Sequence, residues 1–198
     1  MIEFKNLPKE KPYILLKKFY DKALQSEQLF IEGACISSYD PILDEVDSRY
    51  VNLKYIHNDK FIFFSNYESP KAKQFEKNNQ ISVVIFWSNI NFQIRIKAKI
   101  KKLSIDLSRA HFKKRSPYKN ALSIFSKQSS KINSYEELIE GYNSVLKHQN
   151  LTECPDYWGG YSFTPYYFEF WEGNENRINK RISFEKINKK WLSNILQP

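Results

Sequence analysis

The residues from Ile94 to Lys101 alternate strictly between apolar and basic side chains. An extended strand with this pattern places its apolar residues on one face and its charges on the other, as in an antiparallel sheet with one solvated face. The segment therefore predicts a half-exposed strand. The apolar set is Ile94, Ile96, Ala98 and Ile100, and the basic set is Arg95, Lys97, Lys99 and Lys101.

Short runs rich in β-branched and aromatic residues recur along the chain and predict further strands. Turn-forming residues at 57–60 and 188–190 separate neighbouring runs. The predicted strands are 30–37, 49–56, 61–66, 81–87, 166–172, 177–186 and 191–196.

Helical spacing of apolar residues predicts an N-terminal helix over about 11–25, with Pro12 in its first turn. Further helices are predicted from Ser69–Pro70, over 104–115, and from the capping box at Ser134 to about His148. Helices and strands are interspersed without a regular βαβ alternation, a repeat or a linker. We expect a single domain spanning residues 1–198, of the α+β class, with an antiparallel barrel or curved sheet and peripheral helices.

The formal net charge is +9, which suits an anionic ligand, but no nucleic-acid-binding motif accompanies it. Cys35 and Cys154 belong to no CxxC or Cys/His cluster, so neither a disulfide framework nor a metal site is expected. The N-terminus lacks the apolar run of a signal peptide, and no segment has membrane-spanning length. We expect a cytoplasmic protein without nucleic-acid or membrane partners.

The chain lacks the motifs of a Rossmann site, a P-loop, a zinc protease and a serine hydrolase. Instead, cationic and hydrogen-bonding residues lie at predicted strand ends and helix starts among aromatic residues. The start of the helix at Pro70 places free backbone N–H groups beside Lys71, which is a plausible anion site. Such a set suits a planar, phosphorylated ligand.

Several motifs agree in order with one family. They are Ser48-Arg49-Tyr50-Val51-Asn52-Leu53-Lys54, Phe63-Phe64-Ser65-Asn66, Ser69-Pro70-Lys71-Ala72, Ser126-Lys127-Gln128-Ser129, Trp158-Gly159-Gly160, Glu169-Phe170-Trp171 and Leu196-Gln197-Pro198. From about Leu7 to the C-terminus the chain resembles the pyridoxamine 5′-phosphate oxidase family. The resemblance implies an FMN-binding split β-barrel, antiparallel and Greek-key-like. It also implies a homodimer with FMN at the interface, and a C-terminal dimerisation and substrate region over about 155–198.

By this resemblance the flavin would be contacted from either subunit, with Arg49, Lys71 and Ser65 at its phosphate. The full set of implied cofactor residues is Arg49, Lys54, Phe64, Ser65, Lys71, Gln93, Gln128, Ser129, Trp171 and Arg181. One family position departs, because Pro70 stands where an arginine is common.

The resemblance also implies a substrate site at Lys54, His111, Arg115, Lys119 and Arg177, with Arg177 and Asn179 as the catalytic pair. Here His111 replaces a tyrosine, Lys119 a serine and Asn179 a histidine. The loop after Arg115 is somewhat closer to relatives that oxidise dihydrophenazine precursors.

The function implied is an FMN-dependent oxidase of a small molecule. It would transfer a hydride from a substrate carbon to flavin N5, with dioxygen as acceptor. The substrate is open between pyridoxine or pyridoxamine 5′-phosphate and another cyclic compound, as in a phenazine-type biosynthetic oxidase. Two further alternatives are a non-catalytic flavin-binding module and, less favoured, a basic nucleic-acid-binding protein.

Overall fold

The computed structural model describes all residues, Met1–Pro198, as one ten-stranded sheet with five helices. A 3₁₀ turn follows the sixth strand at Ser88–Ile90. The strands are β1 (Glu3–Lys5), β2 (Gly33–Asp40), β3 (Glu45–Asn52), β4 (Tyr55–His57), β5 (Lys60–Asn66), β6 (Gln80–Trp87), β7 (Phe92–Lys102), β8 (Trp158–Glu172), β9 (Lys180–Ile187) and β10 (Lys190–Leu196). The helices are α1 (Lys11–Gln25), α2 (Pro70–Lys77), α3 (Ile105–Lys114), α4 (Pro117–Phe125) and α5 (Tyr135–His148).

The long strand β8 organises the sheet. It pairs with β7 along one side, while its other side pairs first with β5 and then with β9. Beyond β7 the sheet continues through β6 and β2 to the edge strand β3. All pairs are antiparallel except β1 with β4. The α+β class and the antiparallel architecture are therefore confirmed.

The alternation in β7 is confirmed residue by residue, since its apolar residues are all buried and its basic residues are exposed. Ile94 and Ala98 are 0% exposed, and they belong to the main core of 29 buried residues. Aromatic rings fill much of this core, and Phe61 stacks on Phe163 with centroids 5.1 Å apart. Burying each such ring stabilises the fold by roughly 1.5–3 kcal/mol.

Helix α1 covers the sheet with one largely apolar face. Tyr13, Leu16, Tyr20 and Ala23 are buried on this face. The hydroxyl of Tyr20 accepts a hydrogen bond from the backbone N–H of Ile2 at 2.9 Å, so the helix also anchors the N-terminus.

Four sequence predictions need correction at the level of elements. The predicted strand 49–56 is interrupted at Leu53–Lys54 and becomes the end of β3 and the start of β4. The strand predicted over 166–172 is only the second half of β8, and helix α4 was not predicted. Residue Arg177 lies in the loop before β9 rather than in a strand.

The start of α2 differs in one detail. Ser69 has the backbone position of the N-cap and Pro70 begins the helix, as predicted. The Ser69 hydroxyl, however, donates to the carbonyl of Asn66 at 2.8 Å and does not cap the helix. The first backbone N–H groups of α2 therefore receive no side-chain cap. No helix of the protein is both long and apolar enough to cross a membrane.

Candidate functional site

The largest cleft opens between β3, the start of α2 and the corner that joins α3 to α4. Its volume is about 640 Å³, within the range of small-molecule sites. Residues from all of these elements line it: Asp47, Ser48, Arg49, Tyr50, Val51, Asn52, Lys54, Phe64, Ser65, Pro70, Lys71, His111, Arg115, Lys119, Gln128, Ser129 and Trp158. The cleft thus brings together most of the residues that the sequence predicted as a site.

Lys71 is the least compensated charge in the cleft. Its side chain is buried, with 6% of the residue exposed, yet the ammonium forms neither an ion pair nor a hydrogen bond within the chain. Burial and then the nearby Arg49 lower the pKa of Lys71 to about 8. Because a buried charge is costly without a partner, this arrangement fits an anionic ligand.

Arg49 is held beside Lys71 by a network that the sequence did not reveal. Its guanidinium donates to Ser38 Oγ at 2.6 Å and to Gln74 Oε1 at 3.0 Å, and it lies 3.3 Å from Asp47 Oδ2. Gln74 comes from the buried side of α2, so the helix that carries Lys71 also orients Arg49. Burial lowers the pKa of Arg49 from its ordinary value, although the group stays charged near neutrality.

Gln128 and Ser129 close the same part of the cleft, although they lie in a loop far along the chain. The Gln128 side-chain oxygen accepts from Ser65 Oγ at 3.2 Å and from the backbone N–H of Asn66 at 3.4 Å. Ser129 adopts the left-handed region with φ 67°. The predicted phosphate and ring contacts of β5 and of this loop are therefore neighbours in space.

A second group of cations consists of Lys54, Arg115 and Lys119. The pKa of Lys54 is lowered, mainly by burial. The carboxylate of Glu32, 3.9 Å away, acts in the opposite direction and raises it. The positive charges of Lys119 and Arg115 lower it further. Burial also lowers the pKa of Arg115 to about 10. Its guanidinium lies 4.4 Å from the centre of the Trp158 ring.

His111 lies next to these cations in a stack of parallel rings. Its imidazole is 3.7 Å from the Phe64 ring with an interplanar angle of 7°, and its Nδ1 is 2.8 Å from the hydroxyl of Tyr55. Burial, followed by the charges of Arg115 and Lys54, lowers the pKa of His111 to about 4. His111 is therefore a neutral group at physiological pH. The sequence did not suggest Tyr55, although it directly follows Lys54 on the chain.

Three predicted cofactor residues do not line the cleft of this chain. Gln93, Trp171 and Arg181 are direct cross-strand partners on β7, β8 and β9, so they form one row across the sheet. The Arg181 guanidinium already makes three hydrogen bonds within the chain. It donates to Glu169 Oε1 at 2.8 and 3.1 Å and to the carbonyl of Gln197 at 2.7 Å. We refer to Gln93, Trp171 and Arg181 as the sheet row.

The predicted catalytic pair lies in the loop between β8 and β9, also outside the cleft. Arg177 is exposed with φ 62°, in the left-handed region. The Asn179 side-chain oxygen accepts a hydrogen bond from the backbone N–H of Asn174 at 3.1 Å. Asn179 therefore closes its own loop in this chain.

The comparison with known proteins decides the family. The sequence model of pyridoxamine 5′-phosphate oxidase matches residues 32–140, and that of the pyridoxine 5′-phosphate oxidase C-terminal dimerisation region matches residues 158–198. The chain belongs to the pyridoxamine 5′-phosphate oxidase family. A pyridoxine/pyridoxamine 5′-phosphate oxidase from Legionella pneumophila is 33% identical over 190 residues, which is 94% of this chain and 87% of the relative. One from Leptospira biflexa is 37% identical over 152 residues, covering 76% and 72%.

Solved structures agree with the fold expected for the pyridoxamine 5′-phosphate oxidase family. PhzG from Burkholderia lata 383, in complex with tetrahydrophenazine-1-carboxylic acid, superposes with a TM-score of 0.90 at 22% identity, over 96% of this chain and 94% of PhzG. An FMN-binding protein from Nostoc punctiforme that is related to pyridoxamine 5′-phosphate oxidase gives 0.80 at 14% identity, over 96% and 100%. The expected split barrel is confirmed.

Proposed function

We propose that this protein is an FMN-dependent oxidase that acts on a phosphorylated small molecule. The observation that carries the proposal is Lys71, whose side chain is buried while its ammonium reaches the largest cleft near Arg49 without an ion pair. Both cations lie near the start of α2, where the backbone N–H of Lys71 is free and the positive end of the helix dipole favours a phosphate. Pro70 removes one cation that the family commonly has, but two cations remain for a phosphate dianion.

The residues of the cleft fit FMN in chemistry as well as in charge. Lys71, Arg49 and Ser65 would hold the phosphate, while Gln128 and the segment from Arg49 to Lys54 would line the ring system. When bound, FMN supplies the two-electron acceptor that takes a hydride from a substrate carbon before dioxygen removes the electrons. The chain itself needs to bind and orient the substrate and to exclude water.

The second cation group favours a doubly charged substrate. Arg115 and the exposed Lys119 both repel the partly buried Lys54, and only Lys54 has a carboxylate nearby, at 3.9 Å. A phosphate dianion compensates this group better than a single carboxylate does. This favours pyridoxine or pyridoxamine 5′-phosphate, which the names of the curated relatives state, over a carboxylate of the phenazine type, which remains the alternative.

We further propose a homodimer in which the sheet row of one chain completes the cleft of the other. The row lies on the same sheet face as Phe86 and Tyr50, which are 51% and 78% exposed, and Tyr50 also lines the cleft. Trp158 of the cleft and Trp171 of the row lie at opposite ends of β8, roughly 40 Å apart along the strand, and β3 is four strand spacings, roughly 19 Å, from β8 across the sheet, so the row lies outside the cleft of its own chain. The match of residues 158–198 to a dimerisation region supports this arrangement.

The flavin proposal is tested by comparing FMN with riboflavin, which lacks the phosphate. We expect Lys71→Met to weaken FMN binding about 10- to 150-fold, the loss of one charge-assisted hydrogen bond, and to leave riboflavin binding unchanged. The matched control is Lys73→Met, because Lys73 is exposed on the same helix. Equal affinity of the wild type for FMN and riboflavin would contradict the phosphate site.

The oxidase proposal is tested by anaerobic mixing of the FMN-loaded protein with pyridoxine 5′-phosphate, pyridoxamine 5′-phosphate and a dihydrophenazine carboxylate. Bleaching of the flavin absorbance by a phosphate ester supports the proposal. Bleaching by the carboxylate alone would transfer the assignment to the phenazine type, and no bleaching by any of them would favour a non-catalytic flavin-binding module.

A further inference from the structure

Asp47 is the one carboxylate that lines the large cleft, among five cations. Its Oδ2 atom lies 3.3 Å from Nη2 of Arg49 and accepts a hydrogen bond from Nε2 of Gln74 at 3.0 Å. The Asp47 side chain is 59% exposed, whereas that of Arg49 is 22% exposed. The carboxylate therefore meets the guanidinium from the solvent side. The five cations are Arg49, Lys54, Lys71, Arg115 and Lys119.

Arg49 does not need Asp47 to keep its position. Its Nη1 donates to Ser38 Oγ at 2.6 Å and to the carbonyl of Ile36 at 3.4 Å, and its Nη2 donates to Gln74 Oε1 at 3.0 Å. Ser38 and Gln74 are buried and are joined to each other by a hydrogen bond of 2.5 Å. These neutral groups fix the guanidinium from the buried side. Asp47 therefore contributes a negative charge to the site more than it contributes an anchor.

The charges of the phosphate site make this carboxylate unfavourable once a phosphate is present. Lys71 and Arg49 supply two positive charges, and Pro70, which also lines the cleft, supplies none. A phosphate ester carries a charge of about −1.5 to −2 at neutral pH, so the two cations alone match it. Asp47 gives the filled site an excess of roughly one negative charge. In the empty protein the same carboxylate offsets part of the positive charge instead.

We propose that Asp47 is an intramolecular competitor of the FMN phosphate: it is the counter-ion of Arg49 in the empty protein, and it lowers the affinity of the cleft for FMN. The proposal rests on the proposed function, because it assigns the FMN phosphate to Lys71 and Arg49. The phosphate and the carboxylate compete for the same guanidinium, and the exposed carboxylate can turn toward solvent. The FMN affinity is thus set below the value that the two cations would allow.

The competition is measured by FMN binding to Asp47→Asn, with riboflavin as the ligand that lacks the phosphate. Asparagine removes the charge and keeps an oxygen that can accept from Gln74 and Arg49. We expect FMN to bind about two- to tenfold more tightly, because the repulsion between the exposed carboxylate and the phosphate is gone. Riboflavin binding should be unchanged. The gain for FMN should shrink in roughly 1 M salt, where charges are screened beyond about 3 Å.

The matched control is Glu45→Gln, which removes the same charge from an exposed position of β3 outside the cleft. Glu45 lies four residues before Arg49, roughly 13 Å along the strand, which exceeds the screening length of about 8 Å at physiological salt. This variant should change the FMN affinity by less than about twofold. An equal gain in both variants would mean that only the net charge of the protein matters, and it would overturn the proposal.

Ser38→Ala separates competition from positioning. It removes a neutral anchor of Arg49 and should weaken FMN binding, so the serine and aspartate variants should change the affinity in opposite directions. Weaker or unchanged FMN binding in Asp47→Asn would overturn the proposal, since it would make Asp47 another anchor or a bystander. If the wild type does not bind FMN more tightly than riboflavin, the phosphate site of the proposed function fails, and this inference fails with it.

Discussion

At the scale of single residues, Lys71 is the most informative side chain of the molecule. Most buried lysines are paired, since an uncompensated ammonium away from water destabilises the fold. Burial, and then the charge of Arg49, lower the pKa of Lys71 to about 8, so keeping this side chain charged is costly. A bound phosphate would offset that cost, which is why the site is best understood as one that is completed by its ligand.

The lowered pKa of Lys71 makes FMN affinity depend on pH with a defined sign. A phosphate stabilises the ammonium, so the pKa of Lys71 is higher in the complex than its free value of about 8. As pH rises above 8, the free protein loses a proton that binding must restore, and affinity should fall by up to about tenfold per unit. Below about pH 6 the phosphate itself gains a proton, which also weakens binding.

We expect the FMN affinity of the wild type to be highest between about pH 6 and 8 in FMN titrations. The affinity of Lys71→Met should not change from pH 7 to 9. A flat wild-type profile over that range would show that Lys71 does not hold the phosphate.

Sequence reasoning located the residues whose place in the fold follows from local pattern. Lys71 follows a helix start that Pro70 marks, and Arg49 lies on a recognisable strand. It missed Ser38 and Gln74, which orient Arg49, and Tyr55, which contacts His111. These contacts join residues 11 to 56 positions apart and exist only once the sheet and helices have packed.

At the scale of elements, β8 shows why its first half escaped prediction. Two glycines and Pro165 normally weaken a strand assignment. In the structure Pro165 lies beside a shift of register against β7 at Lys97/Ala98, where its missing N–H is tolerated. Packing explains the glycines, because a Cβ at Gly159 would collide with Tyr67 and Ser108, and one at Gly160 would collide with Leu103. The glycines and Pro165 suggest a break in the strand when only the local sequence is considered, but contacts with residues distant in sequence explain their presence in β8.

The close approach at Gly159 gives a stability prediction. A Cβ there would collide with the Tyr67 hydroxyl and crowd Ser108, both part-buried or buried neighbours. We expect Gly159→Ala to lower the free energy of unfolding by about 1–3 kcal/mol, the usual cost of overpacking. In Gly173→Ala the new methyl group meets only the exposed side chain of Asn91, so its effect should stay within about 0.5 kcal/mol. Urea unfolding of the two variants makes the comparison, and equal losses would mean that the close approach at Gly159 has no energetic importance.

The loop between β8 and β9 gives a second prediction at this scale. Asn179 closes the loop by accepting a hydrogen bond from the backbone N–H of Asn174. We expect Asn179→Ala to speed hydrogen exchange of the Asn174 amide several-fold, because the loop loses about 0.5–1.5 kcal/mol of hydrogen bonding. Asn179→Asp keeps the acceptor and should preserve the protection. Unchanged exchange in the alanine variant would mean that Asn179 does not hold the loop.

At the scale of the whole molecule, the site residues fall into two groups that one chain keeps apart. The cleft contains both cation groups, Arg49 with Lys71 and Lys54 with Arg115 and Lys119, while the sheet row of Gln93, Trp171 and Arg181 lies across the open face of the sheet. This separation could not be predicted from sequence. The order of motifs along the chain does not reveal whether two motifs of one chain contribute to the same site or to sites in different subunits. A twofold-symmetric dimer would bring the two groups together, because the sheet row of each subunit would then lie at the cleft of its partner.

The division of the site between two chains predicts complementation between defective subunits. Lys71→Met damages the cleft and Trp171→Ala damages the sheet row, so each homodimer should bind FMN poorly. In a mixed dimer one site carries both defects and the other carries none. Random exchange of subunits, by mild denaturation and refolding of an equimolar mixture, should therefore restore FMN binding at about a quarter of all sites. The measurement is bound flavin after gel filtration, with each variant refolded alone as the control. If the sheet row served its own chain, every site would keep one defect and the mixture would recover nothing.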